Sequence, residues 1–199
     1  PEVQQDYSDT VFVGNPCDFS LHGVRVLSYH GKSIDDFVAG LRSVTYSSPE
    51  LAMRAMMERR HLAPSWGGKT PLSPEPEDRM VISTVPDIFV TGHVHGHYVG
   101  NHKGTTMVHS STWQDQTDYQ RMPGFQPKPC ILAVVNLPPH ATASIPFAWI
   151  RKDLAVIQMP PQTAQIIALH YWHPCLREGV NCSLSGRIEA DEPRVGYHH

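Results

Sequence analysis

Five histidines in two glycine-bounded segments are the side chains best suited to chemistry in this chain. The stretch TGHVHGHYVGNHKG, residues 91–104, holds His93, His95, His97 and His102 directly after the apolar run VPDIFV. A second segment, LSYHG, carries His30 beside Gly31. Neutral imidazole is the commonest metal ligand, and two histidines one residue apart at a strand end can be turned toward one point by the loop that follows. Gly92 and Gly96 let that backbone approach an ion or a phosphate closely. An isolated H-x-H is equally what a solvated loop looks like. His30 sharpens the signal, because a second strand ending in histidine and glycine matches the C-terminal edge of an open α/β sheet, where ligands collect.

The strands and helices around these histidines are readable in outline. TVFVGNP (10–16) and GVRVLSYHG (23–31) are short, β-branched or aromatic, and closed by Gly, Pro or Asn, which predicts strands. In SIDDFVAGLRS, Ser33 reads as an N-cap, Asp35 and Asp36 sit in the first turn, and Ile34, Phe37, Val38 and Leu41 recur at helical spacing. SSPELAMRAMMERRHLAP repeats that grammar: Ser48 as cap, Pro49 at the first helical position, Ala52, Met53, Met56 and Met57 on one face, and Pro64 as the stop. Residues 65–80, rich in Gly and Pro, predict an irregular surface loop. MVISTVPDIFVTGH predicts a buried strand running into the histidine loop, and TTMVHSST and CILAVVNL predict further strands. This order suits an α/β sandwich with a pair of mixed sheets. Beyond Leu137 the apolar runs lose a clear period and are broken by paired prolines, so residues 139–199 carry no structural expectation.

Length and charge bound the possibilities. A chain of 199 residues is long enough for one domain with a core and a tail. A net charge of -3 argues against gripping nucleic acid by bulk electrostatics, so any such contact must be local, metal-mediated or shared with a partner. The sequence has neither a long apolar span nor a leader, which predicts no membrane association and a cytoplasmic protein. Cys17, Cys130, Cys175 and Cys182 are too scattered for a disulfide framework, and reduced thiols are expected.

Taken in order, YHG with SIDDF, RRHLAP, GGKTPLSPEPED, PDIFVTGHVH and HSSTWQDQTDYQ resemble the small subunit of the archaeal family D DNA polymerase, a branch of the calcineurin-like metallophosphoesterase superfamily. The resemblance runs from about residue 8 to about residue 138 and rests on the whole series of motifs; GHxH alone would reach only the superfamily. It implies an α/β/β/α sandwich with mixed sheets and a 3′–5′ exonuclease that proofreads for a large catalytic subunit, acting on DNA. It also implies two divalent metal ions, best matched by Mn2+, which activate water and stabilise the leaving oxygen. His30 and His93 would then hold one ion and His95 its neighbour; His97 and Trp113 are candidates for substrate contact, and no residue is assigned as catalytic acid or base. His97 and His102 have no counterpart in the motif and are expected to be loop residues.

The superfamily's earlier motifs, D-x-H, G-D-x-x-D and G-N-H-D/E, do not occur in this sequence, and in FVGNPCD the position of the last motif's histidine is Pro16. With the opening PEVQQDYSDT, which has no initiator methionine, this gives the expectation of a C-terminal part of the domain (1–138) plus a tail (139–199). Such a chain would carry half of a site and be inactive by itself. The alternative is a non-catalytic scaffold that binds the large subunit; a general metallophosphatase fits the PDIFVTGHVH and SSTWQ context less well. Three further features are set beside these. Trp113, between Thr112 and Gln114, could stack on a base or pack locally. Arg59, Arg60 and His61 form a basic patch or a solvated helix end. His170, His173, Cys175 and Cys182 loosely resemble a zinc set but match no usual spacing.

Overall fold

The computed structural model describes residues 12–112, 116, 126–137, 142–146 and 166–169. Its first strand is β1, Cys17–Leu21, which pairs antiparallel with β2, Val24–Tyr29. His22 and Gly23, with φ of 47° and 78°, make the two-residue turn that a right-twisted hairpin favours. The strand expected at 10–16 therefore lies later. β1 is a half-buried edge strand whose alternation is apolar Cys, Phe and Leu against polar Asp and Ser, a weaker signal than the β-branched run before it.

Two helices follow, α1 (Ile34–Gly40) and α2 (Pro49–Arg59). Ser33 and Ser48 stand at the N-cap positions, but neither side chain caps its helix. Ser33 is buried, and its Oγ donates to the carbonyl of Leu62 and shares a 3.1 Å hydrogen bond with the Tyr29 hydroxyl. Tertiary partners have taken the oxygen that a local cap would use. Pro49 holds the first position of α2 as expected, while Arg60 at φ 56° ends the helix four residues before Pro64.

The remaining strands are β3 (Ile88–Thr91), β4 (Tyr98–His102), β5 (Thr105–His109), β6 (Ile131–Asn136), β7 (Thr142–Pro146) and β8 (Ile166–Leu169). A five-stranded mixed sheet runs β1-β2-β3-β5-β4, with β2, β3 and β5 parallel and antiparallel strands at both edges. β6 is the centre of a three-stranded antiparallel sheet, β7-β6-β8, so two segments beyond residue 138 are hydrogen-bonded to it. The predicted strand over 80–93 is shorter than expected: only Ile88–Thr91 is in the sheet, and Val81 makes an isolated bridge to His61. β4 forms where the histidine spacing predicts loop. Its hairpin turn at Lys103 and Gly104 (φ 51° and 93°) is the local signal for it, and His102 is consequently a strand residue.

Alternation along the strands builds two cores. Leu27 and Tyr29 of β2, Phe89 of β3 and Met107 of β5 face the helices, where Ile34, Phe37, Met53 and Met56 meet them. Val24, Val26, Ile88, Val90 and Val108 face the other way and pack with Ala133 and Val135 of β6. Fully burying a methionine or phenylalanine of this kind contributes about 1.5–3 kcal/mol. The architecture is mixed α/β, with a helical layer on one face of the larger sheet and the smaller sheet on the other. Among the described residues no helix is long and apolar enough to cross a membrane.

Candidate metal centre

Because β2, β3 and β5 are parallel, their C-terminal ends share one edge of the sheet. His30 follows β2 directly, and Gly92 and His93 follow the neighbouring β3. The two loops touch through backbone: the Gly92 amide donates to the His30 carbonyl at 3.1 Å. A Cβ on Gly31, whose φ is 95°, would lie 2.8 Å from the Gly92 carbonyl oxygen. Only glycine permits both that conformation and that approach.

His93 is the middle residue of a three-residue turn, with φ of 75° and the Val94 amide donating to the Gly92 carbonyl at 3.0 Å. His95 also has positive φ, 55°. Such conformations cost non-glycine residues about 1–3 kcal/mol each and concentrate at functional sites. The turn brings His93 Nδ1 to 3.1 Å from His30 Nε2, with the rings nearly edge-on at a centroid separation of 4.9 Å. On its far side, His93 Nε2 lies 3.2 Å from Asp35 Oδ2, which also receives Lys32 Nζ at 2.8 Å. Burial alone would raise the Asp35 pKa, but the bonds from His93 and Lys32 outweigh it and hold the carboxyl well below its usual range.

Beneath the loop is His109, the last residue of β5, fully buried, sharing a 2.9 Å hydrogen bond from Nδ1 to the Thr91 hydroxyl. Its Nε2 has no hydrogen-bond partner among the described residues. Gly96 rests against this ring, where a Cβ would meet His109 Cδ2 and Pro49 Cγ at 3.4 Å. Burial pushes the His109 imidazole down to about 3, and His97, His93 and His95 add to the effect.

Of the expected site residues, His30 and His93 are brought together. His95 sits two residues along the same loop, its carbonyl accepting the Lys128 amide at 2.9 Å. His97 precedes β4; burial and the nearby Lys128 lower its pKa, against a hydrogen bond to the His109 backbone. His102 closes β4 with Nε2 3.8 Å from Glu58, an ion pair when the imidazole is protonated. Trp113 and the four tail residues His170, His173, Cys175 and Cys182 lie outside the described residues. Of Arg59, Arg60 and His61, read as a basic patch or a solvated helix end, Arg60 donates to the carbonyls of Ile82 and Ser83, both at 2.9 Å, and His61 pairs with Asp78. Asp35 and His109 do not stand out in the sequence. Asp35 reads as an acidic residue in a helical first turn and His109 as one polar residue in a strand, so neither has a local signal of its own. No group of three or more His, Cys, Asp or Glu side chains that could hold a metal occurs among the described residues.

The family of B subunits of DNA polymerases alpha and epsilon matches residues 1–99, a span that contains both histidine loops up to His97. Archaeal proteins called DNA polymerase II small subunit are similar over more of the chain. That of Thermoplasma acidophilum is 47% identical over 129 residues, 65% of this chain and 26% of the relative. That of Archaeoglobus fulgidus is 47% identical over 122 residues (61% and 25%), and that of Methanocaldococcus jannaschii 40% identical over 145 (73% and 24%). This chain belongs to the family of archaeal DNA polymerase II small subunits. It spans about a quarter of the length of these curated relatives.

Proposed function

We propose that this chain supplies part of the nuclease site of a 3′–5′ exonuclease subunit, which acts beside a large polymerase subunit on DNA. The observation that supports this reading most is the convergence of His30 Nε2 and His93 Nδ1 to 3.1 Å across the ends of two parallel strands. Two imidazole nitrogens held at about 2.1 Å from one ion and at right angles are about 3.0 Å apart, so the donor pair suits a shared octahedral ion such as Mn2+. In this reading His30 and His93 hold one ion and His95 contributes to a second. When bound, a pair of divalent ions supplies an activated water and charge neutralisation at a scissile phosphodiester. The chain's own part is to orient: Gly31 and Gly92 bring the loops into contact, and His109 with Thr91 supports the loop from below.

The test is Mn2+-dependent hydrolysis of a 3′-mismatched primer by the full-length small subunit and by this chain, each beside its His93→Ala, His95→Ala variant. Loss of activity in the full-length variant supports the reading; undiminished activity refutes it. A second reading, a scaffold that binds the large subunit without catalysis, draws on the absence of any three-ligand cluster among the described residues. It predicts full complex formation by the same variant and no Mn2+ binding by the parent.

A further inference from the structure

Asp35 stands in the first turn of α1, one turn after the His30–Gly31 loop, with its side chain only 14% exposed. A carboxylate can only accept hydrogen bonds. The 3.2 Å contact to Asp35 Oδ2 therefore requires a proton on His93 Nε2. When both imidazoles are neutral, His93 Nδ1 then carries the lone pair, and the His30 Nε2–H donates into it across 3.1 Å. With both rings neutral, one arrangement of protons satisfies the row Asp35, His93, His30, and it turns a ligand-competent nitrogen toward His30. Lys32, 2.8 Å from the same oxygen, holds the carboxylate from the other side.

A plain ion pair at a helix N-terminus would explain Lys32 and Asp35 but not the third partner. The backbone at His93 fixes where the ring starts, through the three-residue turn and its φ of 75°. It does not fix which nitrogen bears the proton or how far the ring rotates about its side-chain bonds. Carboxylates behind metal-binding histidines do both, and their loss typically weakens metal affinity about 10–100-fold. The neighbouring Asp36 cannot substitute, because its carboxylate is engaged by the backbone of Lys69 and by Thr70 on another side of the helix.

We propose that Asp35 is the positioning residue of His93: it holds the ring in the Nε2–H tautomer and so presents Nδ1 to a divalent cation, which His30 Nε2 joins once its own proton has moved to Nδ1 of that ring. The proposal rests on the reading of His30 and His93 as ligands of one ion, and it is tested by measurements that separate the two. In metal-free protein labelled with 15N-histidine, long-range 1H–15N correlation spectra report the tautomer of each ring, with His93 assigned through a His93→Gln variant. The parent should show His93 as a single Nε2–H tautomer, and Asp35→Ala should show a mixture. Mn2+ titrated calorimetrically into the full-length small subunit should bind its Asp35→Ala variant about 10–100-fold more weakly than the parent. Lys32→Ala, which leaves the Asp35 to His93 bond in place, should change affinity much less.

An unchanged His93 tautomer in Asp35→Ala overturns the proposal. So does equal Mn2+ affinity in Asp35→Ala and a metal-binding parent, or equal losses in Asp35→Ala and Lys32→Ala. A tautomer shift in a parent that binds no Mn2+ supports the role of Asp35 while refuting the metal reading. Should Asp35→Ala not fold, Asp35→Leu, which keeps side-chain bulk but has no acceptor, is judged by the same two readouts.

Discussion

The carbonyl oxygen of Gly92 occupies the space in which a side chain on Gly31 would begin: the separation from an added Cβ is 2.8 Å. This close contact between the ends of β2 and β3, with the bond from the Gly92 amide to the His30 carbonyl, helps to bring His30 to His93. Gly31→Ala should therefore destabilise the chain by about 2 kcal/mol or more, from the left-handed φ and the steric overlap together, and should separate the two imidazoles. Gly40→Ala, where an added Cβ meets nothing within 4 Å, is the control and should be neutral or slightly stabilising. Urea denaturation of both variants measures the difference.

Ser33 is expected to matter as a buried connector. Its hydroxyl links the Leu62 carbonyl to Tyr29, whose own hydroxyl accepts the Ser33 amide at 3.2 Å. Ser33→Ala leaves those buried groups short of a partner and should cost about 1–3 kcal/mol. Tyr29→Phe combined with it should cost less than the sum of the two single changes, a coupling that a double-mutant cycle reads directly.

Asp36 fastens the loop at residues 66–70 to α1, accepting the Lys69 amide at 2.5 Å, the Thr70 amide at 3.1 Å and the Thr70 hydroxyl at 2.5 Å. Asp36→Ala should destabilise by about 2 kcal/mol. Hydrogen exchange at Lys69 and Thr70 should accelerate far more than at Phe89 or Val90 in the central strand, and equal acceleration at both places would argue against a local role.

Acid sensitivity should trace in part to His109. Its folded-state pKa, about 3, lies below the unfolded value near 6.5, so between those pH values the unfolded chain binds the extra proton. Stability from this group is fully present above pH 6.5 and is lost as the pH falls toward 3, with a slope of up to about 1.4 kcal/mol per pH unit. Chemical denaturation between pH 4 and 7 should show that slope, and it should flatten in His109→Gln if the variant folds.

How much of the molecule is legible from chain order depends on range. Residue types and local spacing point to the two helices, the apolar strands at 88–91, 105–109 and 131–136, and the two histidine loops, because periodicity and turn chemistry act within a few residues. β1 and β4 escape, being edge strands whose pairing, rather than their composition, makes them strands. The pairing of His30 with His93, 63 positions apart, cannot be read from either loop, since it depends on β2 and β3 lying side by side and parallel. Asp35 reads as a helix-start acid and Ser33 as a cap. Burial redirects both, giving the carboxylate an imidazole and the hydroxyl a distant carbonyl. Residue order thus establishes which side chains are able to act and most of the elements that carry them. Which nitrogen faces which is settled by packing, because a hydrogen bond is satisfied by whatever comes within about 3 Å, and chain order carries no such distance.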